Sequence, residues 1–78
     1  MDEKIMPYNV VVGAFGIEYN AEIVDREARL KGLPTKISNY RGKYCVEAGS
    51  FSQKEQAEAM LLAVRKTGYV FAYIMQKN

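Results

Sequence analysis

The stretch YNVVVGAF that begins at Tyr8 returns, little changed, as YCVEAGSF beginning at Tyr44. A shift of 36 residues sets Tyr8 on Tyr44, Val10 on Val46, Gly13 on Gly49 and Phe15 on Phe51. Without a gap it goes on to pair Ala21 with Ala57, Glu22 with Glu58, Arg29 with Arg65 and Gly32 with Gly68. Self-similarity at a fixed period constrains a fold more than any local propensity. Two copies are too few for a solenoid, so the halves must complete each other's core. The chain has 78 residues, room for one domain. With 49% apolar residues it can build a packed core, though a small one.

Each copy reads as strand, helix, strand. In residues 8–13, Tyr8, Val10 and Val12 fall on one side and Asn9, Val11 and Gly13 on the other. Tyr44, Val46 and Ala48 repeat that alternation against Cys45, Glu47 and Gly49. Period-two spacing rich in β-branched residues predicts a strand. The spacing of Ile17, Ala21, Val24 and Ala28 then predicts a helix, as does that of Gln53, Ala57, Met60 and Val64 with Leu61 beside them. Ser52–Glu55 has the form of a capping box, and Gly16 stands at the matching place in the first copy. Glu22–Arg26, Asp25–Arg29 and Glu27–Lys31 are i,i+4 pairs suited to a wetted face. Ile23, Leu30, Tyr19 and Leu62 fall outside the core stripe. Gly32 and Gly68 are placed to close the helices in the left-handed conformation.

A second strand is expected near Pro34–Asn39 and again near Tyr69–Gln76, with Asn39 and Gly42 suited to the hairpin between halves. The order is βαβ-βαβ, an α+β, ferredoxin-like fold. Right-handed crossovers put both helices on one face of a four-stranded antiparallel sheet, with the first and third strands central. The other face is expected to be open and to carry Asn9, Val11, Cys45 and Glu47, with Lys36 and Ser38 on the same side. In the last strand Val70, Ala72 and Ile74 alternate with Phe71, Tyr73 and Met75, and both sets are apolar. The 36-residue shift sets Phe71 on Thr35 and Tyr73 on Ile37, which favours the aromatic set as core. Residues 8–76 make the domain, with half-repeats 8–38 and 44–74, after an extension of residues 1–7.

The composition removes several chemistries. There is no histidine, and Cys45 is the sole cysteine. Ser-His-Asp and Cys-His nucleophilic catalysis, an internal disulfide and a cysteine-based zinc site are thereby excluded within the chain. No acidic loop resembles a calcium site, no cofactor is expected, and an enzyme is disfavoured. The eleven basic residues form no block, and the net charge is +2, so no nucleic-acid footprint is suggested. Neither an export signal nor a run of about 20 apolar residues is present, so membrane insertion is not expected.

The strand–Gly–[Ala/Ser]–Phe word, the helix with its central alanine and the following Gly-aromatic, all occurring twice, resemble the sporulation-related repeat (SPOR) family. Val46–Phe51 is close to that family's V-Q-V-G-S-F, and the likeness covers about residues 8–75. The resemblance implies a non-catalytic module that binds peptidoglycan, favouring glycan strands stripped of stem peptides. It would serve a larger exported protein of the cell wall or periplasm, such as a cell-wall amidase or an envelope protein. It further implies that the glycan lies along the open sheet face, touched by polar residues of the Q-x-G-S motif. By position these are Glu47 and Ser50 in the second copy, whereas the first copy has Val11 and Ala14. Glutamate keeps the acceptors of glutamine but loses the amide donor and adds charge. The expected glycan-binding set is Asn9, Val11, Lys36, Ser38, Tyr40, Arg41, Glu47 and Ser50, with Tyr40 and Arg41 on the groove's rim.

Two other readings share this topology. An RNA-recognition sheet needs stacking aromatics on its third strand. Here Lys43, Cys45 and Ala48 stand where those would be. A ferredoxin-like protein-interaction or small-molecule regulatory domain, including self-association, is not excluded by topology.

Overall fold

The computed structural model describes residues 5–77. The elements run β1 (Tyr8–Phe15), α1 (Glu18–Leu30), β2 (Lys36–Tyr40), β3 (Lys43–Phe51), α2 (Lys54–Lys66) and β4 (Tyr73–Gln76). The strands make one antiparallel sheet ordered β2-β3-β1-β4, the βαβ-βαβ arrangement expected from the repeat. Both helices lie against the central strands. The core between the layers joins Val10, Val12, Val46 and Ala48 of the sheet to Ala21, Ala28, Ala57 and Val64 of the helices. Fully buried valines such as Val10, Val46 and Val64 contribute about 1.5–3 kcal/mol each.

The halves are equivalent in register as well as in sequence. Tyr8 pairs with Phe51, and Tyr44 pairs with Phe15; Asn9 pairs with Ser50, and Cys45 pairs with Ala14. Val11 pairs with Glu47, its own counterpart, so the pseudo-twofold axis runs through that pair. Just beyond it each central strand carries one extra residue: β1 between Val11 and Gly13, β3 between Glu47 and Ser50. A bulge changes the parity of every residue that follows. Strict alternation would put Gly13 on the outer side and Phe15 with it. Instead Gly13 pairs with Val46 on the core side, and Phe15 and Phe51 pack against the core. Each phenylalanine ring folds onto the glycine two residues before it. A Cβ on Gly13 would meet the Phe15 ring at 2.9 Å, and one on Gly49 would meet Phe51 at 2.9 Å. Gly49 also has φ +95°, which only glycine adopts readily. The doubled Gly-[Ala/Ser]-Phe word is thus a bulge with a ring seated on it.

Three sequence expectations, two at helix ends and one at the hairpin, are corrected. Ser52 is not the N-cap of α2; Gln53 is, and its side chain makes no capping bond. Ile17 caps α1 and is exposed instead of belonging to the core stripe. Asn39 lies within β2, and the hairpin turn is Arg41–Gly42, both at positive φ (51° and 79°), as a two-residue type I′ loop requires. The C-termini follow expectation. Leu33 N–H donates to the Ala28 carbonyl and Gly32 N–H to Arg29; Tyr69 and Gly68 repeat this on Val64 and Arg65. These are two Schellman motifs around glycines at φ 93° and 122°. Among the described residues, Asp25–Arg29 and Glu27–Lys31 form ion pairs, and Glu22–Arg26 does not.

The aromatic set of the last strand is not core. Ile74 pairs with Val10, Ala72 is buried, Phe71 is almost fully exposed, and Tyr73 pairs with Val11 on the outer face. The reason is one additional residue in the second half. Arg29 donates to the carbonyl of Thr35, six residues on, whereas Arg65 donates to that of Ala72, seven residues on. Ile37 pairs with Val46 as Ile74 pairs with Val10. The offset is therefore 36 through the first strand and helix but 37 in the second strand, and a one-residue slip exchanges the two faces.

Candidate functional site

The face away from the helices is organised in rows across the sheet. Through the pseudo-twofold axis runs Lys36–Glu47–Val11–Tyr73. On one side of it come Ser38, Cys45 and Ala14, then Tyr40 and Lys43; on the other, Ser50, Asn9 and Met75. The β3 bulge decides this company. Without the extra residue Ser50 would point into the core, away from Glu47. Asn9, Val11, Lys36, Ser38, Cys45 and Glu47, expected on this face, are on it, whereas the bulge turns Gly13 to the core side.

It is not bare, and here the expectation of an open surface is corrected. Asn9, Val11, Cys45 and Glu47 are each at most 3% exposed. Lys77, just beyond β4, reaches from one edge of the sheet toward the other. Its Nζ donates to Glu47 Oε2 at 2.6 Å and to Ser38 Oγ at 3.4 Å, on β3 and β2. The same ammonium lies 5.1 Å from the centroid of the Tyr40 ring. With the offset of 37, Tyr40 and Lys77 are counterparts, so the two halves send equivalent side chains over the axis, where they meet. This clasp roofs the Val11–Glu47 pair. Ser38 Oγ donates a second bond to Glu47 Oε2 at 2.8 Å, which matches the rule that a buried charge is both paired and hydrogen-bonded.

The neighbouring polar groups are also satisfied. Ser50 Oγ donates to Asn9 Oδ1 at 2.5 Å, and Asn9 Nδ2 donates to the Pro7 carbonyl at 3.1 Å. Ser50 and Asn9 thus link β3 to β1 directly. Burial, with the Glu47 carboxylate nearby, pushes the Cys45 thiol above its ordinary range. Burial does the same to the Tyr73 phenol, helped by Cys45 and Glu47. An unreactive thiol is the outcome. What remains accessible is a rim: Lys36, Ser38, Tyr40 with Arg41 stacked at 5.2 Å, Lys43, Ser50, Tyr73 and Met75.

The two sides of the rim differ chemically because the halves have diverged. Around Glu47 stand Lys36 and Ser38; at the equivalent places around Val11 stand Tyr73 and Met75. One side offers donors and charge, the other an aromatic and apolar platform. An extended ligand with polar edges and C–H faces suits such a surface. Of this rim, sequence reasoning missed Lys43, Tyr73, Met75 and the clasp residue Lys77. Lys43 was available from its alternation with Cys45 and Glu47; Tyr73 and Met75 were hidden by the changed offset. Elsewhere, a hollow of about 490 Å³ on α1 is lined by Glu22, Asp25, Arg26, Arg29 and Leu30. Among the described residues no group of three or more metal-ligating side chains occurs, and no helix is long and apolar enough to cross a membrane.

A doubled βαβ unit with a bulge-and-phenylalanine word in each central strand defines a class of small repeat domain. The chain belongs to the SPOR domain family, whose model matches residues 7–76. Among solved structures it is similar to the peptidoglycan-binding domain of the B. subtilis cell wall lytic enzyme CwlC. The two are 26% identical with a TM-score of 0.79, covering 100% of this chain and 98% of that one. It also shares its fold with the C-terminal RNP domain of the divisome protein FtsN (21% identity, TM-score 0.52, 99% of both chains). No curated protein matches in sequence.

Proposed function

We propose that this chain is a non-catalytic binding module for the glycan strands of peptidoglycan, which holds the protein that carries it at the bacterial cell wall. Membership of the SPOR family over nearly the whole chain carries this reading. The likeness to a domain described as peptidoglycan-binding supports it. The outer sheet face is the binding surface. Lys36, Ser38, Tyr40, Arg41 and Ser50 contact the glycan from the rim, joined by Tyr73 and Met75. Asn9, Val11 and Glu47 form the floor that positions them and do not touch the ligand while the clasp is closed. Residues 8–76 form the domain, and its place of work is the cell wall or periplasm. Self-association plays no part in this reading.

Co-sedimentation with purified sacculi tests it. The protein is expected in the pellet, and soluble glycan strands are expected to release it. A protein that stays in the supernatant while the CwlC domain pellets in the same tube would overturn the reading.

A further inference from the structure

The charges of this molecule are divided unevenly between its layers. The helices and their caps hold six carboxylates (Glu18, Glu22, Asp25, Glu27, Glu55, Glu58) and six cations (Arg26, Arg29, Lys31, Lys54, Arg65, Lys66), and are neutral together. Among the described residues the sheet layer holds four cations, Lys36, Arg41, Lys43 and Lys77, against one carboxylate, that of Glu47. That carboxylate is buried and already bonded to Lys77. Among the described residues Lys36, Arg41 and Lys43 make no ion pair. Among the described residues, three positive charges therefore stand uncompensated on the outer sheet face, while the helical face is neutral. All three belong to the β2–β3 hairpin. Lys36 and Lys43 lie at opposite ends of its paired segment, about 13 Å apart along the strand. Arg41, between them in sequence, lies against the Tyr40 ring.

Like charges gathered on one hairpin repel one another at some cost in stability, and they favour an anion brought among them. We propose that the ligand of this face is an anionic chain, a wall polymer carrying ionised acid groups at intervals, and that Lys36, Arg41 and Lys43 read those groups while Tyr40 supports the intervening ring. The inference rests on the outer face being the wall-binding surface and adds the chemical class that surface selects. The acid groups are carboxylates on sugars or phosphates in the polymer backbone. Both present the same charge to the hairpin, and the experiment separates them.

At about 6 Å in a watery setting one cation–anion contact is worth about threefold in affinity, so three give about thirtyfold. The variant Lys36→Gln/Arg41→Asn/Lys43→Gln removes the three charges at surface positions. The control Arg26→Gln/Lys54→Gln/Lys66→Gln removes three charges from the helical layer, with the same change in net charge. Binding to sacculi is measured from about 10 mM to 1 M salt, over which the screening length falls from about 30 Å to 3 Å. Expected is a wild-type affinity that drops about thirtyfold with salt, a hairpin variant as weak at low salt as the wild type at high salt, and an unaffected control. Competition on the wild type uses three soluble probes: fully N-acetylated chitohexaose, which is neutral; hyaluronan oligomers, which carry carboxylates; and poly(glycerol phosphate). Release by hyaluronan alone assigns carboxylates, and release by poly(glycerol phosphate) alone assigns phosphates. Release by both supports the proposal at the level of charge. Sacculus binding that ignores salt and the hairpin variant, or is released equally by N-acetylated chitohexaose, overturns the inference and leaves the proposed function standing. No binding at any salt overturns both.

Discussion

Lys77→Met is the substitution whose cost the structure defines most sharply. Glu47 has a side chain 2% exposed, while that of Lys77 is 26% exposed. Removing the lysine strands a buried carboxylate with one remaining donor, Ser38. Breaking a fully buried ion pair costs about 3–5 kcal/mol. With Ser38 retained and the site partly wetted, about 2–3 kcal/mol is expected. A domain of this length has roughly 4–12 kcal/mol in all, so the melting temperature should fall by about 10–20 °C. The reverse change, Glu47→Gln, leaves an ammonium that can turn to water and should cost only about 1 kcal/mol. Because neither charge is left unmatched, the double variant should also lie within about 1 kcal/mol of wild type, a non-additivity of about 2 kcal/mol. Urea unfolding of the four proteins measures the cycle. Additive losses, or a Lys77→Met cost below about 0.5 kcal/mol at neutral pH, would refute the clasp.

Three further outcomes are expected. Gly49→Ala meets both the Phe51 ring and a forbidden φ and should cost about 2–4 kcal/mol, Gly13→Ala meets the Phe15 ring alone and should cost about 1–3, and Gly16→Ala, with nothing within 4 Å, should be near neutral; urea midpoints rank them. Arg41→Asn at φ 51° should stabilise by about 0.5–1 kcal/mol, read by thermal melting, because asparagine tolerates the left-handed conformation better. Cys45, Tyr69 and Tyr73 all ionise later in the folded chain than in the unfolded one, chiefly because of burial. The unfolded state then loses protons first, so stability is full below about pH 8.5 and declines as pH rises through the ordinary thiol and phenol range; urea unfolding between pH 7 and 11 measures it.

The duplicated word carried the architecture because it encodes backbone geometry. A glycine that must accept a ring, and one that must take a positive φ, leave marks in sequence wherever the bulge recurs. Gly32 and Gly68 likewise announce the two Schellman motifs. What stayed hidden was metrical. One added residue between Tyr69 and Ala72 reversed the last strand, and since Phe71, Tyr73, Ala72 and Ile74 are all apolar, composition offered no warning. The clasp left no sign either, because Tyr40 and Lys77 are unlike residues at equivalent places and meet only across the axis. Ser52–Glu55 shows the opposite failure, a well-formed capping pattern that the chain passes one residue before the helix begins. The set expected for glycan contact was gathered on one face, but its depth, with Glu47 beneath and Lys36 above, depends on how side chains fold over the sheet.

Backbone amide NMR during titration with purified glycan strands tests the binding surface directly. Shifts should concentrate on Lys36, Ser38, Tyr40, Arg41, Lys43, Ser50 and Tyr73, with α1 and the exposed side of α2 unmoved. Shifts centred on the helices, or on the hollow bounded by Glu22 and Arg26, would contradict the assignment of the sheet face as the site of recognition.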